Sequence, residues 1–242
     1  MSLTPILLAV ELGFLAAIAW RGTARAGLVH AYLLWLALYG IVTGVLAARG
    51  AFVADALMPW LPGLWLQLVT IAVVVLPVLV FPGLRGAMHE ATTAMPWHWF
   101  AGFHGLRVLA VGTLYKAWTG VFPAYFAVLV GIPDLLFGLS ALWIARVARR
   151  GQLSARGFMA WNLAGILVIV PAAPILLQLG LPGPLQVFDG SPDARAVFAW
   201  PMSVAPMLGV PLFVLTNLWL AWHLWVRDRA PRDARSARLQ VE

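Results

Sequence analysis

Runs of about twenty apolar residues, closed by arginines, recur along the whole chain and leave few architectures open. An α-helix rises 1.5 Å per residue, so ~20 residues cross the ~30 Å hydrocarbon layer of a bilayer. Seven runs have that reach: 4–20, 27–48, 57 or 64–81, 96–118, 121–145, 157–180 and 205–226. They are continuously apolar rather than alternating, which excludes the strands of a membrane β-barrel. Of 242 residues, 62% are apolar and 10% charged, against roughly 45–50% and about 25% in a soluble domain. That leaves too few charges to cover a water-facing surface and too much apolar mass for a disordered chain. The expected fold is all-α: a polytopic membrane bundle of seven transmembrane helices over residues 1–226, then a basic cytoplasmic tail over 227–242.

Charge sets the expected orientation. Twelve of the 16 basic residues gather at one end of such a bundle, from Arg21 and Arg25 through Arg85, Arg146, Arg149, Arg150 and Arg156 to the tail. Arg49, Lys116 and Arg195 fall at the other end, and Arg107 lies inside a run. The excess of arginine marks the cytoplasmic side, so the N-terminus is expected outside and the C-terminus inside a bacterial inner (plasma) membrane. The net charge of +7 is thus a topology signal; the partner it implies is the lipid bilayer, not nucleic acid. Cysteine is absent, which removes disulfides, thiolate metal ligands and a cysteine nucleophile. Gly40 and Gly44 form a small-residue pair that allows close helix approach, either within the chain or to a second copy or a membrane-complex partner. In the long stretch 181–204, Ser191 and Pro192 have the order of a helix start and predict a short interfacial helix up to Trp200.

Side chains that do not belong in lipid carry the functional information, because each is costly unless it finds a partner. Counted from the arginine-rich end, His30 and His223 lie ~4–5 Å deep and Asn162 ~7 Å. Glu11, His104 and Asn217 lie ~12–14 Å deep, and Arg107 and Asp134 ~16–18 Å. His104 and Arg107 share a helix face, being three residues apart. Arg107 cannot shed its proton and needs an anion, for which Asp134 on the next run is the first choice and Glu11 the second. Pro133 is expected to kink its helix and free backbone amides that Asp134 can accept from. These positions predict a polar cavity open to the cytoplasm, formed by Glu11, His104, Arg107, Asp134, Asn162 and Asn217. It suits a small-solute or proton pathway, or an accessory membrane subunit.

Two alternatives stand beside this one. The inner-half histidines His30, His98, His104 and His223 are candidates for zinc or haem in a membrane-embedded enzyme, and no cofactor is favoured. The polar residues are also compatible with a purely structural scaffold. A retinal protein is excluded, because the last run has no lysine and Lys116 is the only one in the chain.

One segment carries a resemblance. From Arg107 onward come Gly120, Pro123, Phe126, Gly131, Ile132, Pro133, Asp134, Gly138 and Ala141. This order resembles uncharacterised bacterial multi-span membrane proteins whose middle helices bear an Arg, a Gly-Leu-Pro-like turn and a Gly-Ile-Gly-Asp-like break. Pro133 stands where those proteins have the second Gly. The resemblance implies no activity; it implies that Arg107 and Asp134 act as a unit. The seven-span zinc hydrolases of the adiponectin-receptor and alkaline-ceramidase type hold zinc with two histidines on the last span, where this chain has only His223.

Overall fold

The computed structural model describes residues 3–239, with side chains as far as Arg227. In chain order it contains α1 (Thr4–Gly22), α2 (Ala26–Ala48), two 3₁₀ turns (Ala51–Val53 and Asp55–Trp60) and α3 (Pro62–Val80). Next come α4 (Pro82–Ala94), α5 (Trp97–His104), a 3₁₀ segment (Gly105–Ala110) and α6 (Val111–Trp118). The short α7 (Ala124–Phe126) passes through a π-helical turn (Ala127–Gly131) into α8 (Ile132–Arg149). Then follow α9 (Ala155–Leu167), α10 (Ala172–Leu179), α11 (Arg195–Phe198), a second π turn (Ala205–Gly209) and α12 (Val210–Leu239). The tail arginines beyond Arg227 lie outside the described side chains.

Among the described residues, six helices are long and apolar enough to cross a membrane: Thr4–Gly22, Ala26–Ala48, Pro62–Val80, Ala124–Arg149, Ala155–Leu179 and Ala205–Arg227. The run at 96–118 differs from the single helix expected. It is helical from Trp97 to Trp118, but in two eight-residue α-helices separated by the six-residue 3₁₀ segment that carries Arg107.

These elements pack between two well-defined ends. At the arginine-rich end, Ile18, Phe100, Ile144, Phe158, Leu220 and Leu224 form one apolar core. Arg21 stacks over Trp99 there, and Arg25 pairs with Glu90. At the other end, Phe52, Leu66, Phe122, Leu177, Phe198 and Met207 form a second core. The Thr4 hydroxyl and the Lys116 ammonium both donate to the Met202 sulfur at this end. Between them α2 packs Leu33 and Leu36 onto Leu8, Leu208 and Leu212, while Leu34, Leu38, Ile41 and Val45 face outward. A helix apolar on both faces suits protein on one side and lipid on the other.

Two local expectations change. The helix in 181–204 covers only Arg195–Phe198, and its backbone start is met by the Asp193 carboxylate, which accepts from the Arg195 amide at 2.9 Å. Val197 and Phe198 are buried, so the segment plugs the bundle instead of lying on its surface. Gly40 and Gly44 are also covered from within the chain. A Cβ at Gly40 would meet Leu8 and Leu208 at 3.2 and 3.3 Å, and one at Gly44 would meet Trp200 at 2.9 Å. That face is not free for a second copy or a complex partner.

Candidate functional site

Four departures from regular α-helix come together around one cavity. They are the 3₁₀ segment at Gly105–Ala110, the π turns at Ala127–Gly131 and Ala205–Gly209, and the break between Leu167 and Ala172. Proline accounts for three of them. Pro133, Pro171 and Pro206 lack the N–H that an α-helix interior needs. Pro133 falls in the first turn of α8, immediately after the π turn, so the expected kink is realised as a widened turn. Mid-helix π and 3₁₀ turns recur at functional sites.

All four irregular segments line one cavity of about 370 Å³. Its walls are apolar, with Leu8, Leu68, Phe122, Phe126, Ile169 and Phe213 among them. Glu11, Arg107 and Asp134 are its charged residues, joined by Gln67, Thr4 and Thr113. The cavity therefore extends from the polar layer toward the Thr4 end. The sequence predicts a polar cavity that opens toward the arginine-rich side; of its expected residues, Glu11, Arg107 and Asp134 line this one. The arginine-rich half packs the Phe100, Phe158 and Leu220 core, and beside it lies a second, apolar cavity of about 550 Å³ against Tyr32, Val74, Arg85, Phe100 and Trp219. The cavity along the irregular turns is the one that holds Glu11, Arg107 and Asp134.

Arg107 is 1% exposed and held by two of its three guanidinium nitrogens, Nη2 having no hydrogen-bond partner among the described residues. Its Nε donates to Asp134 Oδ1 at 2.5 Å, and one terminal nitrogen donates to the Gly165 carbonyl at 3.2 Å. The guanidinium lies over the Phe137 ring at 4.2 Å, and Phe137 stacks on Trp161 at 4.5 Å. Asp134 thus bonds Arg107 rather than backbone amides freed by Pro133. Gly138 makes the approach of α8 to the Arg107 segment possible: a Cβ there would sit 2.5 Å from the Val108 nitrogen.

Glu11 is also 1% exposed, yet neither carboxyl oxygen has a hydrogen-bond partner among the described residues. Gly209 in the second π turn lies against it, where a Cβ would meet both oxygens at 3.4 Å. Behind Arg107, away from the cavity, lie the other polar candidates. His104 is fully buried within about 6 Å of the rings of Phe103, Phe137, Trp161 and Phe213, and neither of its nitrogens is bonded. Asn217 is buried beside Gly165, with both amide atoms unpartnered. Asn162 donates to the Phe158 carbonyl at 2.8 Å and keeps an unpartnered oxygen. Buried polar atoms of this kind ordinarily hold internal water.

The histidines proposed as metal or haem ligands do not meet. His30 donates to the Ala16 carbonyl at 3.1 Å and stacks on Trp20. His98 sits against Trp99, and His104 is enclosed as above. His223 pairs instead with His89, Nδ1 to Nδ1 at 3.1 Å. Among the described residues, no three His, Cys, Asp or Glu side chains come together in a way that could hold a metal ion. The aromatic walls around Arg107 and His104 were not singled out from sequence. Phe137 and Phe213 lie in apolar runs with nothing to distinguish them from lipid-facing neighbours.

Neither a curated protein nor a solved structure matches the chain. Residues 64–225 match the family described as a domain of unknown function (DUF8737). The match takes in His104, Arg107, Asp134, Asn162 and Asn217 and stops short of Glu11. It covers more than half of the sequence, and the chain belongs to that family.

Proposed function

We infer that this membrane protein moves protons, alone or in exchange for a small solute, through a mid-bundle site in which Glu11 is the exchangeable acid. The observation that carries this reading is the Glu11 carboxyl. It is buried, bonded to nothing and faces a cavity. A carboxylate held that way is costly inside a bilayer and is a functional candidate by default. Arg107 and Asp134 neutralise each other, which leaves Glu11 as the odd charge. Arg107 then serves as a fixed strut, and His104, Asn162 and Asn217 continue the polar path behind it toward the arginine-rich end.

In this reading the segment Trp97–Trp118 is a seventh crossing, since it runs from the Phe100 core to Lys116 beside Thr4. With the N-terminus outside and the arginines in the cytoplasm of a bacterial inner membrane, the cavity faces outward. The apolar core of Ile18, Ile144, Phe158 and Leu224 then closes the inner side.

Reconstitution into liposomes with an internal pH dye and a potassium diffusion potential tests the pathway. The wild type should acidify the lumen faster than empty liposomes, and Glu11→Gln should return the rate to that background. A Glu11→Gln protein that folds and conducts protons at the wild-type rate overturns the reading.

A further inference from the structure

The charges lining the cavity point to the kind of solute that fits. They are one guanidinium, Arg107, and two carboxyls, Asp134 and Glu11. Arg107 is committed to Asp134 and to the Gly165 carbonyl. With Glu11 ionised, the cavity carries one net negative charge; a proton on Glu11, or one bound cation, cancels it. An anion would enter against both carboxyls and meet only the unpartnered Nη2 of a guanidinium whose charge Asp134 already balances.

The walls select among cations. An inorganic ion gives up its water only for a shell of oxygens, six to eight for calcium. Here the side-chain oxygens beyond the two carboxyls come from Gln67, Thr4 and Thr113, while the remaining side chains are largely aliphatic or aromatic. Phe122, Phe126 and Phe213 line the same space, and aromatic faces attract weakly hydrated organic cations. The cavity of about 370 Å³ also falls within the range of small-molecule sites, roughly 300–1,000 Å³.

We propose that the cavity binds a monovalent organic cation with an apolar body, an amine or quaternary ammonium, in exchange for the proton on Glu11. This rests on the reading of Glu11 as the exchangeable acid. The exchange balances. The cation enters from the Thr4 end, its charge settles against the Glu11 carboxylate, and the proton leaves to water through the same opening. The groups that bear on Glu11 are few among the described residues. Arg107 comes from the 3₁₀ segment and Asp134 from α8; the second π turn presents Gly209, and α3 presents the neutral Gln67. On α2, Tyr39 is occupied with Thr70 at 2.7 Å.

The test uses the full chain in detergent, with benzyltrimethylammonium as the cation and phenylacetate as the anion of similar size. Binding is read by titration calorimetry and proton release by a pH indicator in weak buffer. The cation should bind with release of up to about one proton per site, and more weakly as pH falls, by linkage. Glu11→Gln should weaken binding by at least about tenfold and abolish the release. Glu11→Asp, which keeps the carboxyl, should retain both and guards against a folding defect in the Gln variant. Phenylacetate binding as tightly as the cation, or cation binding indifferent to Glu11→Gln, overturns the proposal. No cation binding, with proton flux still dependent on Glu11, overturns the solute class and leaves the pathway. Cation-driven proton release with flux indifferent to Glu11 overturns the pathway and leaves the site.

Discussion

Two arginine–carboxylate pairs in this molecule have the same contact distance and opposite settings. Arg107 and Asp134 meet at 2.5 Å with side chains 0% and 16% exposed. Arg25 and Glu90 also meet at 2.5 Å, at the arginine-rich end, with side chains 45% and 47% exposed. Coulomb energy scales inversely with the local dielectric, so one geometry means different things in the two places. The inner pair is shielded from water and ties the 3₁₀ segment to α8. The outer pair competes with water and salt. The contrast teaches that the inner pair sets the shape of the cavity, whereas the outer one trims the end of the bundle.

The largest expected effect comes from breaking the inner pair on one side. Arg107→Leu leaves Asp134 as an uncompensated buried charge and should cost about 3–5 kcal/mol of stability. Adding Asp134→Leu should recover most of that loss, because an apolar pair of similar volume replaces a buried ion pair at little net cost. Unfolding of the three proteins in mixed micelles measures both. A single variant as stable as wild type would mean that Arg107 reaches water. A double variant no better than the single would assign Arg107 a role beyond packing.

A smaller effect probes the fit between the same two elements. At Gly138 an added Cβ would lie 2.5 Å from the Val108 nitrogen and 2.7 Å from the Arg107 carbonyl carbon. Both are backbone atoms that cannot swing aside. Gly138→Ala should therefore cost about 1–3 kcal/mol as an overpacked contact. Gly112→Ala is the control, since nothing lies within 4 Å of its Cβ position. Equal melting temperatures for the two variants would show that α8 can move away from the Arg107 segment freely.

How much of this was readable beforehand follows from what each signal measures. Apolar runs report the need to face lipid or core, so the helical membrane character was legible, down to the last run at 205–226. A charge inside such a run is conspicuous, which is why Glu11, Arg107 and Asp134 stood out, and all three do line one cavity. Counting residues gives depth along an axis but not the direction of a side chain. By that count His104 and Asn217 have the depth of Glu11, yet neither lines the cavity: His104 is enclosed by aromatic rings and Asn217 is buried beside Gly165. Nor does the count allow for 3₁₀ geometry, which rises ~2.0 Å per residue rather than 1.5 Å and turns the chain differently. Polar residues mark where charge must be satisfied but not how the backbone opens around them; the cavity lined by Glu11, Arg107 and Asp134 runs along the irregular turns, three of them containing or adjoining proline. His89 was hard to match to His223 because 134 residues separate them.

The smallest expected effect belongs to the outer pair and fixes the other pole of the comparison. Hydrogen bonds from Arg25 first, and then from Thr23, hold the Glu90 carboxyl below its ordinary value. A carboxyl lowered in the folded state adds stability above its unfolded pKa, about 4.3 for Glu, and loses it as pH falls through the lower folded value. Melting curves of wild type and Glu90→Gln should therefore separate slightly at neutral pH and converge in acid. Raising the salt should close the gap at neutral pH as well, because exposed charges are screened within about 8–10 Å at 0.1–0.15 M. A gap that persists in high salt, or widens in acid, would make the outer pair behave like the inner one. The line between them would then be drawn by something other than water.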